Sequence, residues 1–402
     1  MTVAMPAACS LLLLLLLVAP VAAGNPKRHP IHKPASKCVI KGVRWANWEQ
    51  LMEEQAPVLV IDDHHHQPGS PAHTYGAFIF DLSVGRQALS VVMDISSELV
   101  WARCGPRLRP TRPRPPSCPT TSAPSPRSPP AHHGCAARGR YVEHIYGAGN
   151  TSGYLATDKF RLGNTKVRSL VFGCSHKVTV PDSVDVASGF VGFNRGPVSL
   201  VSQLRISRFS YFITLPDDPD NNKAFVSLSW ADHADAKGSH TPLLAARPNQ
   251  NPYLYYVNLT GLQVDGQLLT DTPAGTFDVR ANGSGGGLAP VNSTAGHSLC
   301  FLTQHFSKLK KVPKLALVFD GADATMELKA QNYFFALRGG QTCLSILTST
   351  TGESVLGSLL QTGRTMTYDI HGDGRGQLTF SGAPAPAQVS LATLLLVWVL
   401  LF

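Results

Sequence analysis

The chain has 402 residues, of which 43% are hydrophobic and 15% charged, and it carries a formal net charge of +9. That charge does not describe a nucleic-acid surface: seven arginines and no acid fall within residues 105–140, and the rest of the chain is nearly balanced. The expected partners therefore include no nucleic acid. No Cys-x-x-Cys pair occurs, so the composition supports no zinc site, and no cofactor is expected.

The N-terminus reads as a secretory signal over residues 1–23. Leu11 to Val18 is an apolar run, Pro20 breaks it, and Val21-Ala22-Ala23 supplies the small residues before a cut at Gly24. Residues 24–74 lack strong periodicity and are expected to be a leader or pro-segment, with a helical turn or two over Ala46 to Met52. His64-His65-His66, with Asp62, Asp63 and His73, holds metal-ligating residue types, but the spacing fixes no geometry and a polar leader explains it.

From Tyr75 the pattern becomes alternating, with Phe78, Phe80, Leu82 and Val84 on one strand face. Further short β segments are expected at Leu89 to Asp94, Tyr154 to Leu162, Ser169 to Cys174, Phe209 to Leu215, Ala224 to Ser229 and Tyr255 to Gln263. They continue at Ala316 to Phe319, Cys343 to Leu347, Arg364 to Ile370 and Gln377 to Phe380, with Gly, Pro, Asn and Asp between them. Val198 to Leu204 reads as a helix, and Glu353 to Gln361 as a turn or short helix. The fold class is all-β.

Residues 105–134 interrupt this pattern with prolines, arginines and serines, a composition that cannot bury enough apolar surface to order itself. Asp369 to Gly374 has the residues of a calcium loop, but Phe380 stands where its terminal glutamate belongs, and a hairpin turn explains it better. At the C-terminus, Ser381-Gly382-Ala383, a polar spacer to Gln388 and an apolar run from Val389 to Phe402 read over residues 382–402 as a lipid-anchor signal of the glycosylphosphatidylinositol type, the alternative being a plain apolar tail.

Cys9 leaves with the signal, so seven cysteines remain: Cys38, Cys104, Cys118, Cys135, Cys174, Cys300 and Cys343. An odd number in an oxidising compartment leaves at least one thiol unpaired or intermolecular. Four glycosylation sequons, at Asn150, Asn258, Asn282 and Asn292, fit a secreted or extracellular chain, whether free, in the cell wall or anchored at the plasma membrane.

Val92-Met93-Asp94 ends an apolar strand in a carboxylate, followed by Ile95, Ser96, Ser97, Glu98, Leu99, Val100 and Trp101. Tyr146-Gly147 opens a glycine-containing hairpin that returns through Gly153 to Asp158. With Val171 to Cys174, Gly189 to Phe193, Arg195 to Pro197, Ser199 to Leu204, Arg208 to Tyr211, Tyr255 to Leu259, Val355 to Ser358 and Tyr368 to Ile370, these pieces resemble, in order, the plant nepenthesin-like group of pepsin-like aspartic proteases. The resemblance covers about residues 75–381. It implies a bilobal pepsin-like fold, with an N-terminal β lobe over 75–245 and a C-terminal lobe over 246–381. It makes Asp94 the first catalytic aspartate and places Ser97, Trp101, Tyr146 and Gly147 around a bound peptide. It also implies a second-lobe disulfide between Cys300 and Cys343.

Proteolysis of that kind needs two neighbouring carboxyls that share one proton, one to activate water and one to donate to the scissile carbonyl. Here Ile95 and Ser96 follow Asp94 where the family has a hydroxyl residue and glycine. After Asn282 to Gly286, Gly287 leads directly to Leu288-Ala289-Pro290 and to His297-Ser298-Leu299-Cys300, so the strand bearing the second Asp-Ser/Thr-Gly is missing and the second lobe is shortened. Asp278 is the one acid nearby, and a surface turn explains it better. The chain is therefore expected to be an aspartic-endopeptidase-family protein with impaired catalysis, a monomer taking a peptide or protein between its lobes. The alternative is a non-catalytic peptide- or protein-binding homologue resembling plant xylanase-inhibitor proteins. A third outcome is a second lobe that cannot pack once its central strand is lost.

Overall fold

In a computed structural model of the chain, the described residues are 37–45, 78–105, 140–145, 149–179, 187–215, 223–230, 236–269, 299–309, 311–337, 340–346, 354–370 and 376–382. Several expectations fall outside them: the signal, the histidine tract, most of the basic loop, the lipid-anchor tail, Tyr146, Gly147, Asp278, Asn282 and Asn292. Among the described residues no helix is long and apolar enough to cross a membrane.

Among the described residues the elements are strands, most of them short, with four one-turn helices. In chain order the first are β1 (Lys37–Lys41), β2 (Arg44–Trp45), β3 (Phe78–Val84), β4 (Gln87–Asp94), β5 (Trp101–Arg103), β6 (Arg140–Ile145), β7 (Gly149–Leu162), β8 (Thr165–Thr179) and β9 (Gly189–Gly192). Helix α1 (Leu200–Leu204) follows, then β10 (Arg208–Phe212), β11 (Phe225–Ser229) and β12 (Ser239–Leu243). The later part holds β13 (Leu259–Val264), β14 (Gln267–Leu269), β15 (Cys300–Leu302), α2 (Thr303–Phe306), β16 (Leu315–Phe319), β17 (Thr325–Leu328) and α3 (Ala330–Tyr333). It ends with β18 (Phe334–Leu337), β19 (Gln341–Leu344), α4 (Ser358–Gln361), β20 (Thr365–Ile370) and β21 (Gly376–Ser381).

The first lobe is one eight-stranded sheet, ordered β2-β3-β4-β9-β5-β8-β7-β6, and an extra β3–β7 pairing closes it into a barrel. Its strands alternate, so Phe80, Leu82 and Val84 point into the barrel with Phe160, Leu162 and Phe172, all at most 4% exposed. Residues of opposite parity, Ile79, Val92, Leu99, Trp101, Tyr141, Leu155 and Phe190, form a smaller core on the other face. The second lobe has a four-stranded sheet, β14-β13-β16-β17, and a three-stranded sheet, β15-β19-β18. Between the lobes runs a six-stranded antiparallel sheet, β1-β11-β10-β20-β21-β12, which joins the first strand to the last.

The sheet contains a strand that the leader assignment of residues 24–74 does not anticipate. Lys37-Cys38-Val39-Ile40-Lys41 pairs with β11 along its whole length and buries Cys38 and Ile40 at 3% and 2% exposure. Two residues later Arg44 and Trp45 pair with β3 in the other sheet, and the Arg44 guanidinium bonds Asp81 and the Ser90 hydroxyl. Residues 37–45 thus fasten the six-stranded sheet to the barrel. Five residues of eBeBe pattern are too few to stand out beside a polar leader.

Cys300 and Cys343 face each other across β15 and β19 and are bonded, with Cα atoms 4.0 Å apart. Cys104 and Cys174 form a second disulfide, between the end of β5 and β8. Cys38 is an unpaired, buried thiol that donates to the Leu162 carbonyl at 3.1 Å. Cys118 and Cys135 lie outside the described residues.

The two lobes differ where the resemblance expects a second catalytic strand. In the first lobe β9 is fully buried, paired by β4 on one side and β5 on the other. Val355 to Gly357 has no strand partner among the described residues, and Val355 is 37% exposed.

Candidate active site

Asp94 closes β4 at the point where the chain must turn. β4 runs parallel to β9, which sets Asp94 beside Gly192, and the Phe193 N–H donates to the Asp94 carbonyl at 2.8 Å. The next residues fold back on the carboxylate. Oδ1 accepts from the Ser96 N–H at 2.8 Å, the Ser96 hydroxyl at 2.6 Å and the Ser97 N–H at 3.3 Å, and Oδ2 accepts from the Ser97 hydroxyl. The amide bonds are those of an Asx turn, which a strand-ending aspartate makes with its own backbone. A carboxylate has about four lone-pair sites. Four donors from its own loop converge on it, three on Oδ1 and one on Oδ2, so Oδ1 is fully engaged and Oδ2 keeps an open site.

The loop 94–97 is held from behind by the chain after β9. The Asn194 N–H donates to the Ser97 carbonyl at 3.2 Å and its Nδ2 to the Ser96 carbonyl at 3.0 Å, while its Oδ1 accepts the Gly196 N–H at 2.8 Å. Gly192 is required by contact: a Cβ there would sit 2.5 Å from the carbonyl oxygens of Ser97 and Glu98. Glu98, 4% exposed, accepts the Val198 N–H at 3.1 Å. Ser199 then caps α1 through the Ser202 N–H. From the last turn of α1, the Gln203 carboxamide bonds both the N–H and the carbonyl of Val171, substituting for a strand neighbour of β8.

The connection between the lobes is seated on the same loop. The Tyr255 hydroxyl donates to the Phe193 carbonyl at 2.8 Å, and the Arg195 N–H donates to the Tyr253 carbonyl at 2.8 Å. The Arg195 guanidinium lies 4.9 Å from the centre of the Tyr255 ring, a cation–π contact. Burial lowers the Arg195 pKa and raises that of Tyr255. Tyr255 continues into Phe209 and Tyr368 of the six-stranded sheet, with ring centres 5.8 and 5.0 Å away.

Of the residues assigned to the site, Asp94 and Ser97 come together. Trp101 does not join them at a surface: it is 2% exposed and stacks on Phe190 at 5.0 Å, which leaves it a packing role rather than contact with a ligand. Among the described residues no group of three or more His, Cys, Asp or Glu is placed to hold a metal. Asn194, Glu98 and Gln203 are the loop's supports that sequence reasoning passed over. Their signal was a polar residue placed between glycines (Gly192, Gly196) or in an otherwise apolar stretch.

A strand-ending aspartate in an Asx turn, a parallel partner strand ending in glycine, and a lobe connection docked on the same loop form one ordered arrangement. Residues 78–228 match the family description "Xylanase inhibitor N-terminal", and residues 287–381 match "Xylanase inhibitor C-terminal". The chain belongs to the pepsin-like aspartic protease family, in its plant nepenthesin-like group. It is 28% identical over 353 residues to aspartic proteinase nepenthesin-1 of Nepenthes gracilis, covering 78% of this chain and 79% of that protein. To nepenthesin-2 of the same plant it is 25% identical over 337 residues, covering 73% and 75%. Among solved structures it is similar in fold to basic 7S globulin from soybean, with a TM-score of 0.54 at 15% identity, covering 87% of this chain and 98% of that one. In a pepsin-like protease each catalytic aspartate heads an Asp-Ser/Thr-Gly triplet, and no such triplet occurs anywhere in these 402 residues. The stretch between the two family matches, 229–286, is where the second-lobe half of the dyad should be approached.

Proposed function

We propose that the chain is a secreted pepsin-like homologue with impaired hydrolysis, whose scaffold retains the holding of a polypeptide between the lobes. The observation that carries this reading is that no Asp-Ser/Thr-Gly triplet occurs in the sequence, beside an Asp94 carboxylate already held by four donors from Ser96 and Ser97 of its own loop. An aspartic dyad works because one carboxyl keeps a proton that the other shares. The turn that Asp94 makes engages Oδ1 and leaves only Oδ2 with an open site, and no Asp-Ser/Thr-Gly triplet occurs in the sequence to supply the second acid. Ser96 supplies the extra hydroxyl. Ile95 supplies no oxygen for a bond to a facing loop and packs against the main core instead.

The family descriptions name xylanase inhibitors, and that class of binding fits this chain better than turnover. Its partner would then be a folded glycoside hydrolase rather than a substrate chain. The purified secreted protein is titrated separately against an endoxylanase and against acid-unfolded casein. The reading expects one of them to be retained intact in a one-to-one complex. Release of casein fragments that Asp94→Asn abolishes, or retention of neither probe, would overturn it.

A further inference from the structure

Asn258-Leu259-Thr260 stands at the entrance to β13, and its three residues are all exposed. The Asn258 side chain makes no hydrogen bond among the described residues, while its carbonyl is fixed by the Asp320 N–H at 3.0 Å. Asn150-Thr151-Ser152 is different. It lies inside β7, flanked by β6 and β8, with Asn150 half-buried and Thr151 fully buried.

The order of synthesis separates them further. An acceptor sequon is used as an unpaired, extended segment. The Asn150 partner on β6 is His144, made six residues earlier. Such a hairpin closes in about 1–10 μs once both strands exist. β13 pairs with β14, only a few residues on, but its other neighbour is β16, and the Thr260 hydroxyl that a sequon needs is taken by the Val318 carbonyl, 58 residues downstream. At about 5–20 residues per second that leaves the hydroxyl free for roughly 3–12 s of synthesis.

The folded chain also leaves something for a glycan to cover. Among the described residues β14 is a sheet edge, and the same hairpin exposes Leu259 (43%) and Leu268 (49%), the latter folded over Gly261. An exposed apolar edge strand is an aggregation hazard that a hydrophilic cover blunts.

We infer that Asn258 is a glycosylated acceptor whose N-linked oligosaccharide shields the β13–β14 edge. In the transfer, the Asn258 amide nitrogen bonds to the first sugar carbon of a polyprenyl-diphosphate-linked oligosaccharide. The carbon–oxygen bond to the diphosphate breaks, the lipid diphosphate leaves with the electron pair, and the amide gives up one proton. This goes beyond the peptide-holding role and needs only entry into the secretory pathway.

The test is peptide mass mapping of the full chain secreted from a plant host, deglycosylated enzymatically in heavy-oxygen water. The Asn258 peptide is expected to carry the isotopic mark of a released glycan, at higher occupancy than the Asn150 peptide. Asn258→Gln is expected to migrate one glycan faster and to bind more of an apolar dye, and Thr260→Ser to keep the glycan. An unmarked Asn258 beside a marked Asn150 overturns the inference. A secreted chain with every sequon bare overturns it too.

Discussion

The carboxamide of Asn194 is bonded to the Ser96 carbonyl at 3.0 Å, and through this contact the strand beside β4 grips the turn that carries Asp94. Asn194 is completely buried, and its Oδ1 is used as well, by Gly196. Asn194→Ala therefore leaves the half-buried Ser96 carbonyl and the buried Gly196 N–H without these partners. A loss of about 1–3 kcal/mol for each is expected, read as a lower urea midpoint with an unchanged slope.

Residues 37–45, within the stretch expected as a leader or pro-segment, pair with strands of two sheets. Ile40, at 2% exposure, packs in the main core, so Ile40→Ala is expected to cost about 2–5 kcal/mol. With residues 1–23 kept in front of both, a chain that resumes at Lys37 should resist protease, whereas one that resumes at Phe78 should be degraded. Equal protease resistance of the two would refute the clasp.

Arg208 and Asp369 form an ion pair across β10 and β20, with side chains only 16% and 18% exposed. Removing one partner strands the other charge at the junction of the lobes, at a cost approaching the roughly 3–5 kcal/mol of a fully buried pair. Because the pair is shielded from ions, Asp369→Asn should lower the melting temperature by a similar amount in low and in high salt.

Three buried tyrosines set a limit at high pH. Burial pushes Tyr141 and Tyr368 up to about 12 and raises Tyr211 well above its ordinary value. The folded chain keeps these phenol protons where the unfolded chain releases them, near pH 10. Stability is intact below about pH 10 and falls toward about pH 12, by roughly 1.4 kcal/mol per pH unit for each tyrosine. Tyrosinate absorbance should therefore rise together with loss of structure. A rise near pH 10 in the intact fold, involving all the tyrosines, would contradict the burial.

Much of the barrel was legible in the residues. Phe78 to Val84 alternates because one face of β3 fills the barrel, and Asp94 stands out because an acid ends an apolar strand. The bond between Cys300 and Cys343 followed from the family likeness and is present. The pairing of Cys104 with Cys174 could not be read, because sequence offers many pairings and only the parallel register of β5 and β8 selects one. β1 escaped notice because its partner is more than 180 residues away and only that partner makes its two apolar side chains a pattern. The expected strand from Tyr255 starts only at Leu259, since Tyr255 is spent on Phe193 and Arg195 at the lobe connection. Asn194 was invisible for the same reason: its value lies in carbonyls that are adjacent only after β4 and β9 pair.

The most direct test of the account is the turnover of an acid-unfolded protein by the secreted chain, measured against its Asp94→Asn variant over a range of acid pH. A lone carboxylate held by its own serines, in a chain without any Asp-Ser/Thr-Gly triplet, predicts that the two proteins are indistinguishable and that both leave the polypeptide whole. Fragments produced by the natural chain and absent with the variant would mean that a second acid does meet Asp94, and the claim of lost catalysis would fall.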